Sequence, residues 1–427
     1  MFKLYKIKKF LSPPILLTIL LIVTFSFRLI RLSIPSRYVF DEVYHVPTLR
    51  AYSQNNPAGY EWWQTAPEPN TAYDWLHPPL AKLIQAGSVK ILGDNSFAWR
   101  FPSAVFGTLS ILALYFFTLT LFKKKSIALT AAFIFSFDGL QLTMSRIAMN
   151  DIFIVTWIIL ALAFFFKYLH SKSKEKNKFL FLTGIFTGLA LATKWSALFL
   201  YPIFFIFLLP KIIKSKEFIK NLLFTIYYLL FTPILIYFLS YSQFFLQGHT
   251  LDQFKQLHQQ IINYQTTLKA AHDYQSTAAQ WPLLLKPVWF HVDYQKTATA
   301  HIYNLGNPII FWTALIAIFY SIAKLLSKAF NHSHPLPYSV ISYFLLWVPW
   351  ILSPRILFFH HYLPALPLAC LILTWSLWQI KKSSRKIIFP IFFFIIFTSF
   401  IFFYPLNTAI PISTKILKYW FWLPTWK

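Results

Sequence analysis

The chain has one cysteine, nine glycines and only thirteen carboxylates among 427 residues. A lone thiol, Cys370, excludes an intrachain disulfide and a cysteine metal cluster. So few glycines leave no flexible linker, and no tandem repeat is visible, so residues 1–427 read as one domain rather than a string of modules. Charged residues make up only 12% of the chain, against 57% hydrophobic and 20% aromatic. With a mean hydropathy of +0.53, that composition excludes an ordinary soluble globule.

What fills the chain is apolar sequence. Runs such as 14–27, 105–122, 152–166 and 387–403 approach or reach the roughly 20 residues that cross a bilayer. The first is followed by Arg28 and Arg31 and by no small-residue cleavage site, so it reads as a retained span rather than a signal peptide. The net charge of +26 raises nucleic acid as a partner, but the basic residues are not gathered on one domain. They cluster between spans: Lys3, Lys6, Lys8 and Lys9; Lys123 to Lys125; Lys172, Lys174, Lys176 and Lys178; Lys211, Lys214, Lys216 and Lys220; Lys324 and Lys328; Lys381, Lys382, Arg385 and Lys386. Cytoplasmic loops carry such an excess. Placing every cluster inside gives about eleven spans, near 11–32, 98–122, 126–141, 151–169, 179–193, 195–210, 221–240, 306–328, 338–353, 362–380 and 387–404, with the N-terminus inside. Only Glu175 and Glu217 then fall inside, and the other eleven carboxylates lie outside.

Three outer segments are long enough to carry function: 33–97, 241–305 and the tail 405–427. The first holds seven prolines, which exclude one long helix and leave short surface helices near 48–55 and 79–92. The second, rich in Gln, Thr, His and Tyr, is expected to form helices on the outer surface.

Five constellations could carry chemistry. Asp41-Glu42 opens the first outer loop, where a carboxylate at the mouth of a helix bundle can take a proton from a hydroxyl; a pair of solvated boundary charges is the plain alternative. His77-Pro78-Pro79 starts a helix whose N-terminus favours an anion, with Lys82 one turn on. Arg100, Arg146, Lys194 and Arg355 recur at the outer boundary, where they either bind a specific phosphate or snorkel to lipid headgroups in general. Asp151, after Asn150, either caps a span or orients Arg146. Residues 354–364 gather Arg355, His360, His361 and Tyr362 between two spans. Adjacent histidines do not share a helix face, and the scattered His249, His258, His272, His291 and His301 lack ligand spacing, so no metal site is expected.

Taken in order, these segments resemble the protein O-mannosyltransferase family, of the GT-C class of glycosyltransferases that use polyprenyl-phosphate sugars. The likeness runs through Phe40-Asp41-Glu42, His77-Pro78-Pro79-Leu80-Ala81-Lys82, Arg100-Phe101-Pro102-Ser103-Ala104, the stretches 145–151, 188–195 and 280–290, and 354–364. It implies an all-α polytopic membrane fold of the GT-C type. It implies inverting transfer of mannose from a polyprenyl-phosphate-mannose to Ser or Thr hydroxyls of exported proteins, at the outer face of a bacterial plasma membrane. By matched position Asp41 would be the general base and Glu42 would position acceptor or sugar. Arg100 matches an important arginine of the family, and Arg355, His361 and Tyr362 would hold the lipid phosphate. No nucleotide and no obligatory metal are implied; a divalent ion is compatible with the scheme but not required by it.

Two departures stand out. Only about 65 residues occupy the place of the luminal β-rich domain of eukaryotic members, which points to a shorter, bacterial type. Ala81 replaces the usual glycine of the His-Pro-Pro-Leu-Gly-Lys motif. The competing enzyme reading is a related GT-C transferase with another sugar, or with a lipid or glycan acceptor, as in aminoarabinose transfer to lipid A. A transporter or channel would call for inverted repeats or polar residues at mid-membrane, whereas here the charges gather at the span ends.

Overall fold

The structure, a computed structural model, describes residues 12–171, 176–327 and 335–427. The basic residues at 3–9, together with Lys172, Lys174, Glu175 and Lys328, lie outside the described residues.

Each of the apolar segments drawn from the sequence contains a helix. Among the described residues six helices are long and apolar enough to cross a membrane: Ser96–Phe122, Asp151–His170, Trp195–Ile213, Phe218–Ser240, Pro308–Leu326 and Lys382–Asn407. Pro13–Leu29, Lys125–Ser136, Leu336–Leu352 and Leu366–Gln379 are shorter apolar helices, and Lys176–Leu191 adds another. The 151–170 helix forms the centre, packed between the 96–122 and 176–191 helices. Gly184 and Gly188, four apart on one face, let the 176–191 helix come close to its neighbour. A Cβ at Gly184 would lie 1.9 Å from the Tyr228 carbonyl oxygen, and one at Gly188 would lie 2.8 Å from the Ile236 Cβ.

The first outer loop folds into the helices Glu42–Ser53 and Leu80–Leu92. The first begins six residues earlier than the sequence suggested, because Pro47 does not break it. Pro47 cannot bond to the carbonyl four residues back, Val43. Ala72 takes that carbonyl instead, donating from its N–H at 3.3 Å, so the loop that wraps the helix repairs it.

The 241–305 segment departs from the all-helical expectation. Its first half contains the helix Leu251–Thr267, capped by Thr250 and Gln253. Its second half is a hairpin of β1 (Val288–Tyr294) and β2 (Ala298–Asn304), which β3 (Ile412–Ser413) of the tail extends into an antiparallel sheet. The signal was there: Val288-Trp289-Phe290-His291-Val292-Asp293-Tyr294 is aromatic and β-branched, a strand composition. Phe290 stacks on Phe40 at 4.4 Å, so the hairpin packs beside the acidic pair.

Candidate active site

A cavity of about 320 Å³ opens where the outer loops meet the bundle. Its walls come from distant parts of the chain: Asp41 and His45, His77, Asn150 and Asp151, Lys194, Gln265, Arg355, and His360 with His361. A turn connects two of these walls, since the Leu80 N–H donates to the Ala192 carbonyl at 3.0 Å. That bond ties the His77 helix to the turn carrying Lys194.

Adjacent residues at a helix start point about 100° apart, and this separates the acidic pair. Asp41 faces the cavity. Removal from water pushes its carboxyl up to about 6; Asp74 and Asp151 add to the rise, while His45 and Lys194 oppose it. Glu42 turns inward and is fully buried. It accepts from Arg100 Nε at 2.8 Å and Nη2 at 2.6 Å, from the Val39 N–H at 3.0 Å and from the Ala148 N–H at 2.9 Å. Arg100 spends its remaining donors on the carbonyls of Leu32, Pro35 and Arg37. The pair therefore pins the first outer loop to the 96–122 helix, and neither residue lines the cavity.

Asp74, which the sequence reading passed over, organises the cluster behind Asp41. Its carboxylate lies 2.9 Å from His77 Nδ1, 3.1 Å from His45 Nδ1 and 2.8 Å from Lys82 Nζ. Burial opposes its charge, but His77, Lys82 and His45 more than offset this and hold it well below the usual carboxylate range. Burial lowers His77 to about 4 against the pull of Asp74, so the ring is neutral near pH 7. With Nδ1 engaged by the carboxylate, Nε2 is the nitrogen left over. The Asp-x-x-His spacing of residues 74–77 was the available signal. Lys82 is fully buried on Asp74 and does not reach the cavity.

The opposite wall is cationic. Lys194 Nζ lies 2.9 Å from Asp151 Oδ1. This corrects the expected role of Asp151: its side chain holds Lys194 and neither caps the helix nor reaches Arg146. Arg146 instead donates to the Phe27 and Arg28 carbonyls, at 3.0 and 2.6 Å, at the C-terminal end of the first helix, where the dipole favours a cation. Arg355 donates to the Gln265 side chain. His360 and His361 stack at 4.6 Å. Burial lowers both, His360 to about 4, and the Lys194 charge adds to the effect on each. Tyr362 turns away, its hydroxyl 2.9 Å from that of Tyr343 in the core.

The predicted residues thus divide. Asp41, His77, Asp151, Lys194, Arg355 and His361 share the cavity, whereas Glu42, Arg100, Lys82, Arg146 and Tyr362 do not line it. Several lining groups have buried polar atoms without hydrogen-bond partners, among them Asn150 at both amide atoms, Trp350 at Nε1, Arg355 at Nε and His360 at Nδ1. Buried polar groups are normally paired, so such atoms suit a polar ligand. Among the described residues no group of three or more His, Cys, Asp or Glu is arranged to hold a metal ion.

This architecture recurs among solved structures. The S. cerevisiae protein O-mannosyltransferase Pmt1–Pmt2 complex, bound to the sugar donor, matches with a TM-score of 0.81 at 16% identity over 97% of this chain and 92% of that one. ArnT from Cupriavidus metallidurans, bound to undecaprenyl phosphate, matches with a TM-score of 0.58 at 12% identity over 86% of this chain and 61% of that one. The fold is therefore of the GT-C class, in a multi-pass membrane protein.

Sequence narrows the class. Residues 18–248 match the dolichyl-phosphate-mannose-protein mannosyltransferase family, and residues 250–426 match the C-terminal four-transmembrane region of protein-O-mannosyltransferase. The chain belongs to this family. The polyprenol-phosphate-mannose–protein mannosyltransferase of Corynebacterium glutamicum is 22% identical over 91% of this chain and 88% of its own. That of Mycobacterium tuberculosis is 21% identical over 96% and 91%.

Proposed function

We propose that the protein transfers mannose from a polyprenyl-phosphate-mannose to Ser or Thr hydroxyls of exported proteins, with inversion at the anomeric carbon. The observation that carries the reading is a cavity with a cavity-facing carboxylate, Asp41, on one wall and the cations Lys194 and Arg355 on another. Family membership and the names of the bacterial relatives supply the sugar and the acceptor class.

In this scheme Asp41 accepts the acceptor hydroxyl's proton as its oxygen bonds to the anomeric carbon. The bond from that carbon to the phosphate oxygen breaks, and the phosphate keeps the electron pair. Lys194 and Arg355 stabilise the charge that develops there, so protonation of the leaving group is not needed. His361 and Asn150 would orient the donor's phosphate and sugar. A carboxyl titrating near 6 is ionised at neutral pH yet retains more basicity than an exposed aspartate. The reaction needs no nucleotide and no obligatory metal ion, because these side chains supply both base and positive charge. The basic inner loops support a plasma-membrane orientation with the N-terminus cytoplasmic and the cavity external.

The experiment is transfer of labelled mannose from polyprenyl-phosphate-mannose to protein, in membranes holding wild type or Asp41→Asn. Label that depends on Asp41 and is released from protein by β-elimination is expected. Label appearing in lipid or glycan, with none in protein, would instead favour the aminoarabinose-transferase type of reaction. Protein labelling that Asp41→Asn leaves intact would remove Asp41 as the base.

A further inference from the structure

A second cavity, of about 900 Å³, lies at the other end of the bundle. The 151–170 helix begins at the catalytic cavity with Asp151 and ends at this one with His170, about 30 Å away by helix geometry. The 366–379 helix follows the His360–His361 turn and likewise ends here, with Trp378. The two cavities therefore face opposite sides of the membrane.

The second is lined by Lys123, Lys124, Lys382, Arg385 and Lys386, and no carboxylate is among its described lining residues. Arg385 is held in place: its guanidinium carbon sits 4.7 Å from the centre of the Trp378 ring, and its Nε is buried without a hydrogen-bond partner. A solvated positive boundary has no need of a recess walled by a ring-stacked arginine whose buried Nε lacks a partner. Beyond it, Ile387, Ile391 and Phe394 of the 382–407 helix are exposed in succession, an apolar track leading from the cavity toward the hydrocarbon.

We propose that this cavity binds the phosphate-bearing headgroup of an anionic membrane lipid, whose acyl chains lie along the Ile387–Ile391–Phe394 face. Basic pockets between spanning helices suit such headgroups. The apolar track is what favours a lipid over a soluble phosphate compound. The site stands apart from the transfer reaction proposed above.

Native mass spectrometry of the full chain in detergent, with phosphatidylglycerol added, measures the site. Wild type is expected to retain one tightly held lipid. Lys382→Gln/Lys386→Gln, which keeps the Arg385–Trp378 stack, is expected to weaken retention roughly tenfold or more. Arg385→Gln is expected to weaken it as well. Lys415→Gln/Lys418→Gln, in the exposed tail, should leave it unchanged. Equal retention by all variants, or equal loss in the tail control, would overturn the proposal. So would displacement of the lipid by inorganic phosphate at matched concentration, which would assign the cavity to a soluble anion.

Discussion

The two ends of the helical bundle use charge in opposite ways. At the end that holds the Asp41 cavity three buried acids each have a cation, Glu42 with Arg100, Asp74 with Lys82 and Asp151 with Lys194, while a fourth, Asp138, is held by the N–H groups of Gln141 and Asn307. Asp41 has no such ion pair among the described residues, and unlike Asp138 it faces the cavity. At the other end the second cavity gathers Lys123, Lys124, Lys382, Arg385 and Lys386, with no carboxylate among its described lining residues. An isolated buried charge is costly and must be neutralised from within, whereas a charge at the headgroup level can be neutralised by lipid.

The comparison breaks first at Asp41. Asp41→Asn is expected to lower mannose transfer by about 10²- to 10⁴-fold, the usual contribution of a general base, without changing thermal stability. A residual rate within tenfold of wild type would mean that the unpaired acid is incidental. Glu42→Gln tests the opposite role. It leaves the Arg100 charge buried and unpaired, a loss of about 3–5 kcal/mol in stability, visible as a large drop in Tm. The double variant Glu42→Gln/Arg100→Met should recover much of that loss; if it does not, the pair is more than a strut.

Smaller effects sharpen the contrast. Asp74→Asn removes the shared partner of His45, His77 and Lys82, and misplacement of the ring beside Asp41 should cost of the order of tenfold in kcat/KM. Partial rescue by Asp74→Glu is expected; no effect of either change would detach the cluster from the chemistry. For pH, a base with a raised pKa of about 6 is ionised above that value and lost below it. Transfer should therefore fall about tenfold between pH 7.5 and pH 5, and a flat profile over that range would contradict Asp41 as the base. Least of all, Lys220→Gln breaks the exposed pair with Glu217 and should change stability by less than about 1 kcal/mol.

Much of the molecule was legible in the residue order. The apolar runs between the lysine clusters each contain a helix. Asp41 of the acidic pair, His77 of the Pro-Pro helix start, and the boundary cations Lys194 and Arg355 share one cavity. Other residues were misjudged because their fate rests on neighbours far along the chain. Pro47 looked like a helix breaker until Ala72, from the returning loop, satisfied Val43. Asp151 sits close in sequence to Arg146, but the turn after the next helix delivers Lys194 instead. The hairpin at 288–304 was hidden by its polar surroundings, although its own composition announced strands.

By itself, then, the sequence determined which segments enter the membrane and which residues carry charge at its edge, because hydrocarbon sorts side chains by type and period alone. Only the tertiary structure decided that Asp41 faces a cavity while Glu42, next to it, is sealed against Arg100. It also decided that Asp74 gathers two histidines and a lysine, and that the lysines of separate loops close around one recess. Those outcomes depend on direction and distance between segments up to hundreds of residues apart, and local order along the chain does not specify them.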